Sequence, residues 1–344
     1  MNKGKTTAAE EFGRVYSMLS RLSANFSVLL MTSEKIREFE DLAKKDQLMR
    51  SLVRELRQHL RSINGPEDYV SMSQAYEAYA EANFCLEMAR RGVSLERTPG
   101  TASDRNKRPD FLYRHATGDI YFEVKALEIE NPLFRHKEIA YAGLEAAADL
   151  DTRSRKPGIH FGETVFSGSA PSTSTSERID LTITRIKNTI KPEQLLYGPT
   201  ILVVDLGQLP VMPFGPSNLL PVFFNEGPPA ESCVSGELWH IAVGASGERI
   251  FVLPEFEGAS NLGGHLTMSG VLLERRELVG ISFVLPSWSN SAEIFTIWNM
   301  AADQSALQNK LTVSEQDIAE LLKRVSDGVN DTNNECGDEF LRRK

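Results

Sequence analysis

The chain has 344 residues, of which 41% are hydrophobic and 25% charged, and it carries a formal charge of -9. That is the composition of an ordinary globular protein, large enough for one domain with appendages or for two. Three widely separated cysteines without CxxC spacing (Cys85, Cys233, Cys336) argue against a disulfide framework and a zinc site, as do six histidines that do not cluster.

The opening MNKGKTTAAEEFG lacks the apolar core of a signal peptide, and FSVLLM is too short to cross a bilayer. A cytoplasmic protein with no membrane partner is expected. The negative balance offers no global attraction to polyanions, so nucleic acid would have to be met by local basic patches.

Residues 7 to 63 are patterned as helix, with Ile36, Phe39, Leu42, Met49, Leu52, Val53, Leu56, Leu60 and Ile63 on one face and Asn64-Gly65-Pro66 as the stop. Residues 1 to 62 hold twelve Lys/Arg against eight Asp/Glu, and their polar face is rich in Arg that could touch phosphate. Two uses are open for this region: a layer packed on the main domain, or an arm that builds a homodimer or binds a partner.

A further helix is expected from 67 to 91, because YVSMSQAYEAYAEANFCLEMARRG has strong helix formers, no internal Pro or Gly, and Gly92 in place for a C-cap. Strand-like segments follow: VSLER, PDFLYR and DIYFEVKAL. Residues 133 to 150 read as helix. A loose stretch to about 177 includes SGSAPSTSTSE, which cannot bury a core.

RIDLTITRIKNTIKPEQLL carries both strand and helix spacing and is read as helix. TILVVDLG has the continuous apolar run of a strand buried on both faces. ELWHIAVG, RIFVLPEF, SGVLLERR, LVGISFVL and EIFTIW are read as further strands, 313 to 326 as a helix, and DGVNDTNNECGDEFLRRK as a disordered tail. The order helix, three strands, helix, strand predicts an α/β fold with a mixed sheet flanked by helices.

The chemistry concentrates in KRPDFLYRHATGDIYFEVKAL. If Arg114 and Asp119 flank a hairpin loop, counting outward places Asp110 opposite Glu123. Like charges at that separation are destabilising unless something such as a divalent cation neutralises them. Glu123 and Lys125 share a face while Val124 points into the core. Two carboxylates can hold Mg²⁺ beside a phosphate, and a lysine there can orient a water or stabilise developing charge. On the preceding helix Glu77 and Glu81 stand one turn apart.

Pro109 with Asp110, then Glu123-Val124-Lys125, after a helix containing EANFCLEMARRG, resemble the PD-(D/E)XK nuclease superfamily over roughly residues 70 to 210. The resemblance implies a restriction-endonuclease-like mixed β-sheet flanked by helices and metal binding by Asp110, Glu123 and the Val124 carbonyl. It also implies a water-positioning or second-metal role for Glu81 and a water-activating role for Lys125. Several relatives carry a Gln or a basic residue after the lysine or on the following helix; here Lys125 is followed by ALEIEN, whose Glu128 and Glu130 would repel phosphate.

The resulting expectation is a metal-dependent nuclease using Mg²⁺, with Mn²⁺ as a substitute, acting on DNA in preference to RNA; a restriction or defence role fits the family. Its divisions are an N-terminal helical region at 1–65, a nuclease-like domain at 66–302 and a C-terminal helix and tail at 303–344. Arg97, Arg105, Lys107 and Arg108 are expected to contact backbone phosphates. The rival is a catalytically inactive protein of the same fold acting as a nucleic-acid-binding or assembly module.

Overall fold

A computed structural model describes residues 6–18, 31–65, 68–100, 108–127, 174–208, 216–225, 232–252, 262–285, 291–300 and 313–333. The chain divides into two compact units. One is formed by residues 1–86, 128–168 and 207–211, the other by 87–127, 169–206 and 212–344.

In the first unit α1 (Ala8–Met18), α2 (Ser33–Ala43) and α3 (Gln47–Ser62) pack on one another. The single apolar face expected from Ile36 to Ile63 is broken at Lys44 to Asp46. Asp46 accepts from the Met49 N–H at 2.7 Å and so starts a new helix. Leu42 and Val53 are only half-buried, while Ile36 and Phe39 of α2 and Met49, Leu52, Leu56 and Leu60 of α3 are buried. The helix α4 (Tyr69–Arg90) contributes Tyr79, whose ring centroid lies 5.4 Å from that of Phe39. Cys85 is buried, as its place between Phe84 and Leu86 predicts.

Gly92 ends α4 in the left-handed region, with φ at 69°. The Gly92 N–H donates to the Ala89 carbonyl at 3.0 Å and the Val93 N–H to the Met88 carbonyl at 2.8 Å, the two bonds of a Schellman cap.

The second unit is an α/β arrangement around a seven-stranded mixed sheet of order β1-β2-β3-β4-β9-β10-β11. The strands are β1 (Glu96–Arg97), β2 (Phe111–Arg114), β3 (Asp119–Ala126), β4 (Thr200–Asp205), β9 (Leu278–Leu285), β10 (Glu293–Trp298) and β11 (Gly328–Asp331). In β4 and β9 every residue is buried, which explains their largely apolar sequence. β3 and β9 both run parallel to β4, whereas β2 with β3 and β9 with β10 are antiparallel.

Between β3 and β4 lies α5 (Thr175–Thr189), begun by a Ser174–Glu177 capping box. Its helical spacing prevails over the strand alternation: Ile179, Ile183 and Ile186 are buried and Leu181 is exposed. The segment between β4 and β9 carries the paired strands β5 (Val222–Asn225) and β6 (Ser232–Ser235), and the pair β7 (Arg249–Phe251) and β8 (Leu262–His265). Of these four only β7 lies in an expected strand, RIFVLPEF.

Two expected strands are helices: ELWHIAV forms α6 (Glu237–Val243) and VLLE forms α7 (Val271–Glu274). Leu238 to Val243 are buried without exception, so no amphipathic period was there to read. Gly236 precedes α6 because a Cβ at that position would collide with the Asn218 and Leu220 carbonyls. The helix α8 (Glu315–Val325) matches expectation.

The segment read as a disordered tail contributes β11, parallel to β10. A ladder needs only backbone groups, so an edge strand as polar as Gly-Val-Asn-Asp gives no apolar signal. The helix expected at 133 to 150, the loose stretch from there to residue 173, and residues 334–344 lie outside the described residues.

Candidate active site

The hairpin has the register counted from its loop. Arg114 faces Asp119 and Phe111 faces Phe122, and the turn closes with His115 N–H to Gly118 carbonyl at 3.0 Å. Alternation then places Ile120, Phe122 and Val124 on one buried face of β3 and Tyr121, Glu123 and Lys125 on the other.

β2 begins at Phe111, so beyond the Phe111–Phe122 pair no β2 backbone faces Val124. Asp110 fills the gap, its Oδ2 accepting from the Val124 N–H at 2.9 Å. Because a strand residue directs its N–H and C=O to the same edge, the Val124 carbonyl also opens toward Asp110. The Asp110 carbonyl accepts from the Thr98 N–H at 3.3 Å, which ties the acid to the segment after β1.

Glu123 has no solvent-accessible surface. Its Oε1 accepts from Gln194 Nε2 at 2.6 Å and forms an ion pair with Lys125 Nζ. Its Oε2 is buried and has no hydrogen-bond partner among the described residues. Burial pushes the Glu123 carboxyl up to about 8; the neighbouring Asp110 charge pushes the same way, and Lys125 and Gln194 oppose the rise. A buried carboxylate with one bare oxygen beside a second carboxylate is the environment a hard cation relieves.

Arg97 was expected on phosphate. Its guanidinium lies 4.9 Å over the Phe111 ring, and Nη1 stands 4.0 Å from Asp110 Oδ1, so its charge is turned toward the acid. Arg108 is half-buried against Gly100 with Nη1 unpartnered among the described residues, and Arg105 and Lys107 lie outside those residues.

Arg90 and Arg91, at the end of α4, are committed to the scaffold. Both pair with the fully buried Glu87, at 2.7 and 3.0 Å, and Arg91 also reaches Asp327 at 2.8 Å. On α5 Arg178 pairs with Glu237 at 3.1 Å, and Lys187 with Glu274 at 2.7 Å.

Asp110, Glu123, Val124 and Lys125 are thus brought together, and Gln194 joins them. Glu81 is half-buried on the part of α4 that belongs to the first unit, one turn from the exposed Glu77. Among the described residues no three His, Cys, Asp or Glu side chains form a group able to hold a metal. An ion on the hairpin would therefore rest on Asp110, Glu123 and the Val124 carbonyl.

No family model, curated protein or solved structure matches the chain. No helix among the described residues is long and apolar enough to cross a membrane.

Gln194 is the member that sequence reasoning passed over. It sits in a 3-10 turn (Pro192–Leu196) whose Gln194 Oε1 accepts from the Lys191 N–H at 3.1 Å, which fixes the amide so that its NH₂ points at Glu123. The sequence held one hint, the Gln or basic residue that several relatives of the resembled family carry after the lysine or on the following helix, but Gln194 lies past α5, in PEQLL, which carried no pattern of its own.

Proposed function

We propose that the protein is a metal-dependent nuclease of the PD-(D/E)XK type with a restriction-endonuclease-like core, hydrolysing phosphodiester bonds in DNA with Mg²⁺ as the ion. The observation that carries this reading is the bare, buried Oε2 of Glu123 beside Asp110 and Lys125. Asp110, Glu123 and the Val124 carbonyl would hold the ion. Bound there, Mg²⁺ supplies charge neutralisation and a more acidic water.

The chain's own groups do the rest. Lys125 orients the attacking water or takes its proton, at a position fixed by its pairing with Glu123. Gln194 holds the Glu123 carboxylate in one rotamer, and the surrounding sheet keeps bulk water from that carboxylate.

The test is incubation of supercoiled and single-stranded DNA with the protein, with and without Mg²⁺ or Mn²⁺, beside Asp110→Ala and Lys125→Ala. Metal-dependent cleavage that both variants lose supports the reading; cleavage that survives in both removes this site.

A second reading is favoured by a specific observation: Lys125 already neutralises Glu123, and Asp110 already serves the Val124 N–H. A site whose acids are already partly engaged within the chain suits a catalytically inactive scaffold that binds nucleic acid or a protein partner. DNA binding in EDTA without cleavage in either metal would decide for it.

A further inference from the structure

On α3, Arg50, Arg54, Arg57 and Arg61 follow one another at spacings of four, three and four residues, which places all four on one side of the helix over about 16 Å. Neighbouring like charges at these spacings destabilise a helix unless something offsets them. By helix geometry position 55, the acid of this helix, falls off the row.

The scaffold holds these guanidinium groups mostly through neutral acceptors. Arg50 donates to the Ala43 and Lys44 carbonyls at 3.1 and 3.3 Å, and Arg57 to the Thr6 carbonyl at 3.2 Å. Carbonyls fix direction without cancelling charge. Among the described residues the row has one ion pair, Arg61 with Glu11 at 2.8 Å, and Glu11 is shared with Arg14 at 3.0 Å. Arg54 is exposed and has no partner among them. Three guanidinium charges therefore stand uncompensated on a rigid helix, in a chain whose overall charge is -9.

We infer that this row on α3 is a binding surface for the phosphate backbone of nucleic acid, a positioning surface separate from the Asp110–Glu123–Lys125 cluster. The choice of nucleic acid rests on the nuclease reading above and on two properties of the row. Guanidinium forks match phosphate oxygens, and their spacing of about one helical turn suits a linear array of phosphates. A membrane surface is disfavoured by packing: an amphipathic helix binds bilayers by inserting its apolar face, and that face of α3 (Met49, Leu52, Leu56, Leu60) is buried in the unit.

The test uses the full chain in EDTA, where no cleavage intervenes, and measures anisotropy of a labelled DNA strand of about twenty nucleotides, single or duplexed, across a KCl series. Arg54→Ala should weaken binding several-fold and lower the slope of log affinity against log salt by about 0.7–1, while Arg54→Lys keeps the slope. Arg54 supports no fold contact, so an unchanged thermal melt is expected and is checked.

Affinity and slope unaltered in Arg54→Ala overturn the inference, as does Arg54-dependent binding to phosphatidylserine vesicles with none to DNA. The two proposals fail separately. Arg54-dependent DNA binding without metal-dependent cleavage removes the nuclease reading alone; cleavage lost in Lys125→Ala with binding indifferent to Arg54 removes the α3 surface alone.

Discussion

Gln194 Nε2 donates to Glu123 Oε1 at 2.6 Å, joining residues 71 apart in sequence inside a buried site. The bond gives a carboxylate with no exposed surface its second donor, beside Lys125. Without it, the charge on Glu123 would rest on Lys125 alone.

Gln194→Leu should therefore destabilise the protein with Glu123 ionised by about 1.5–3 kcal/mol, the range for a hydrogen bond to a charged group, and move the Glu123 carboxyl further up. Urea titrations of the two proteins at about pH 9, where the folded Glu123 is ionised, read the first effect. A midpoint equal to that of the parent would show that the bond is dispensable.

Glu123 makes stability depend on pH in a set direction. Its folded value, about 8, lies above the ordinary 4.5. As pH rises past 4.5 the unfolded chain releases this proton while the folded chain keeps it, so in EDTA stability falls between about pH 4.5 and 8 and then levels. Glu123→Gln should lack that decline and gain on the parent by up to a few kcal/mol across the window. Melting temperatures of both proteins from pH 5 to 9 give the comparison; parallel curves would count against a raised carboxyl.

Added Mg²⁺ favours the ionised form of the same group. It should raise the melting temperature more at pH 8 than at pH 5, and Asp110→Asn should lose most of that gain. The readout is thermal and needs no turnover, so it reports on the ion site even if the protein cleaves nothing.

How much of this was legible beforehand depends on what each element hides. The Asp110–Glu123 relation could be counted from Arg114 and Asp119 because a hairpin register propagates from its loop. β4 announced itself by a continuous apolar run, and LVGISFVL was read as the strand that is β9. Leu238 to Val243 are equally apolar yet helical, and only the collision of a Cβ at 236 with the Asn218 and Leu220 carbonyls marks where α6 must begin. Gln194 and Arg97 were illegible for another reason: their roles depend on residues distant in sequence, Glu123 and Asp110, and no local period encodes such a meeting.

Glu11 supplies a pH effect of the opposite sign. The Thr6 hydroxyl, then Arg61 and Arg14, hold its carboxyl down at about 2 against an ordinary 4.5. The stabilisation it gives is present above 4.5 and lost as pH falls toward 2. Glu11→Gln should be less stable than the parent at neutral pH, and the gap should close on acidification, as followed by far-ultraviolet circular dichroism of chemical unfolding. A gap that persists at pH 2 would place the effect in packing.

Gly92→Ala forces a Cβ into a left-handed position, with φ at 69°, and to within 2.9 Å of Arg324 Nη2. A loss of about 1–2 kcal/mol is expected in equilibrium unfolding. Gly92→Asn should lose less, because Asn tolerates that backbone region. Equal losses would point to the Arg324 contact as the cause.

The seven strands lie side by side in the order in which a ribosome would release them, β1 through β4 and then β9 through β11. Each new strand can dock on the growing edge left by its predecessor, so the sheet permits vectorial assembly. Within that sequence the hairpin bearing Asp110 and Glu123 is made early. Glu123 can be enclosed only after residues 192–205 have emerged to supply Gln194 and pair β4 with β3. Until then Glu123 faces water with its ordinary acidity, and the nascent hairpin holds the acids of the site without the buried setting of Glu123.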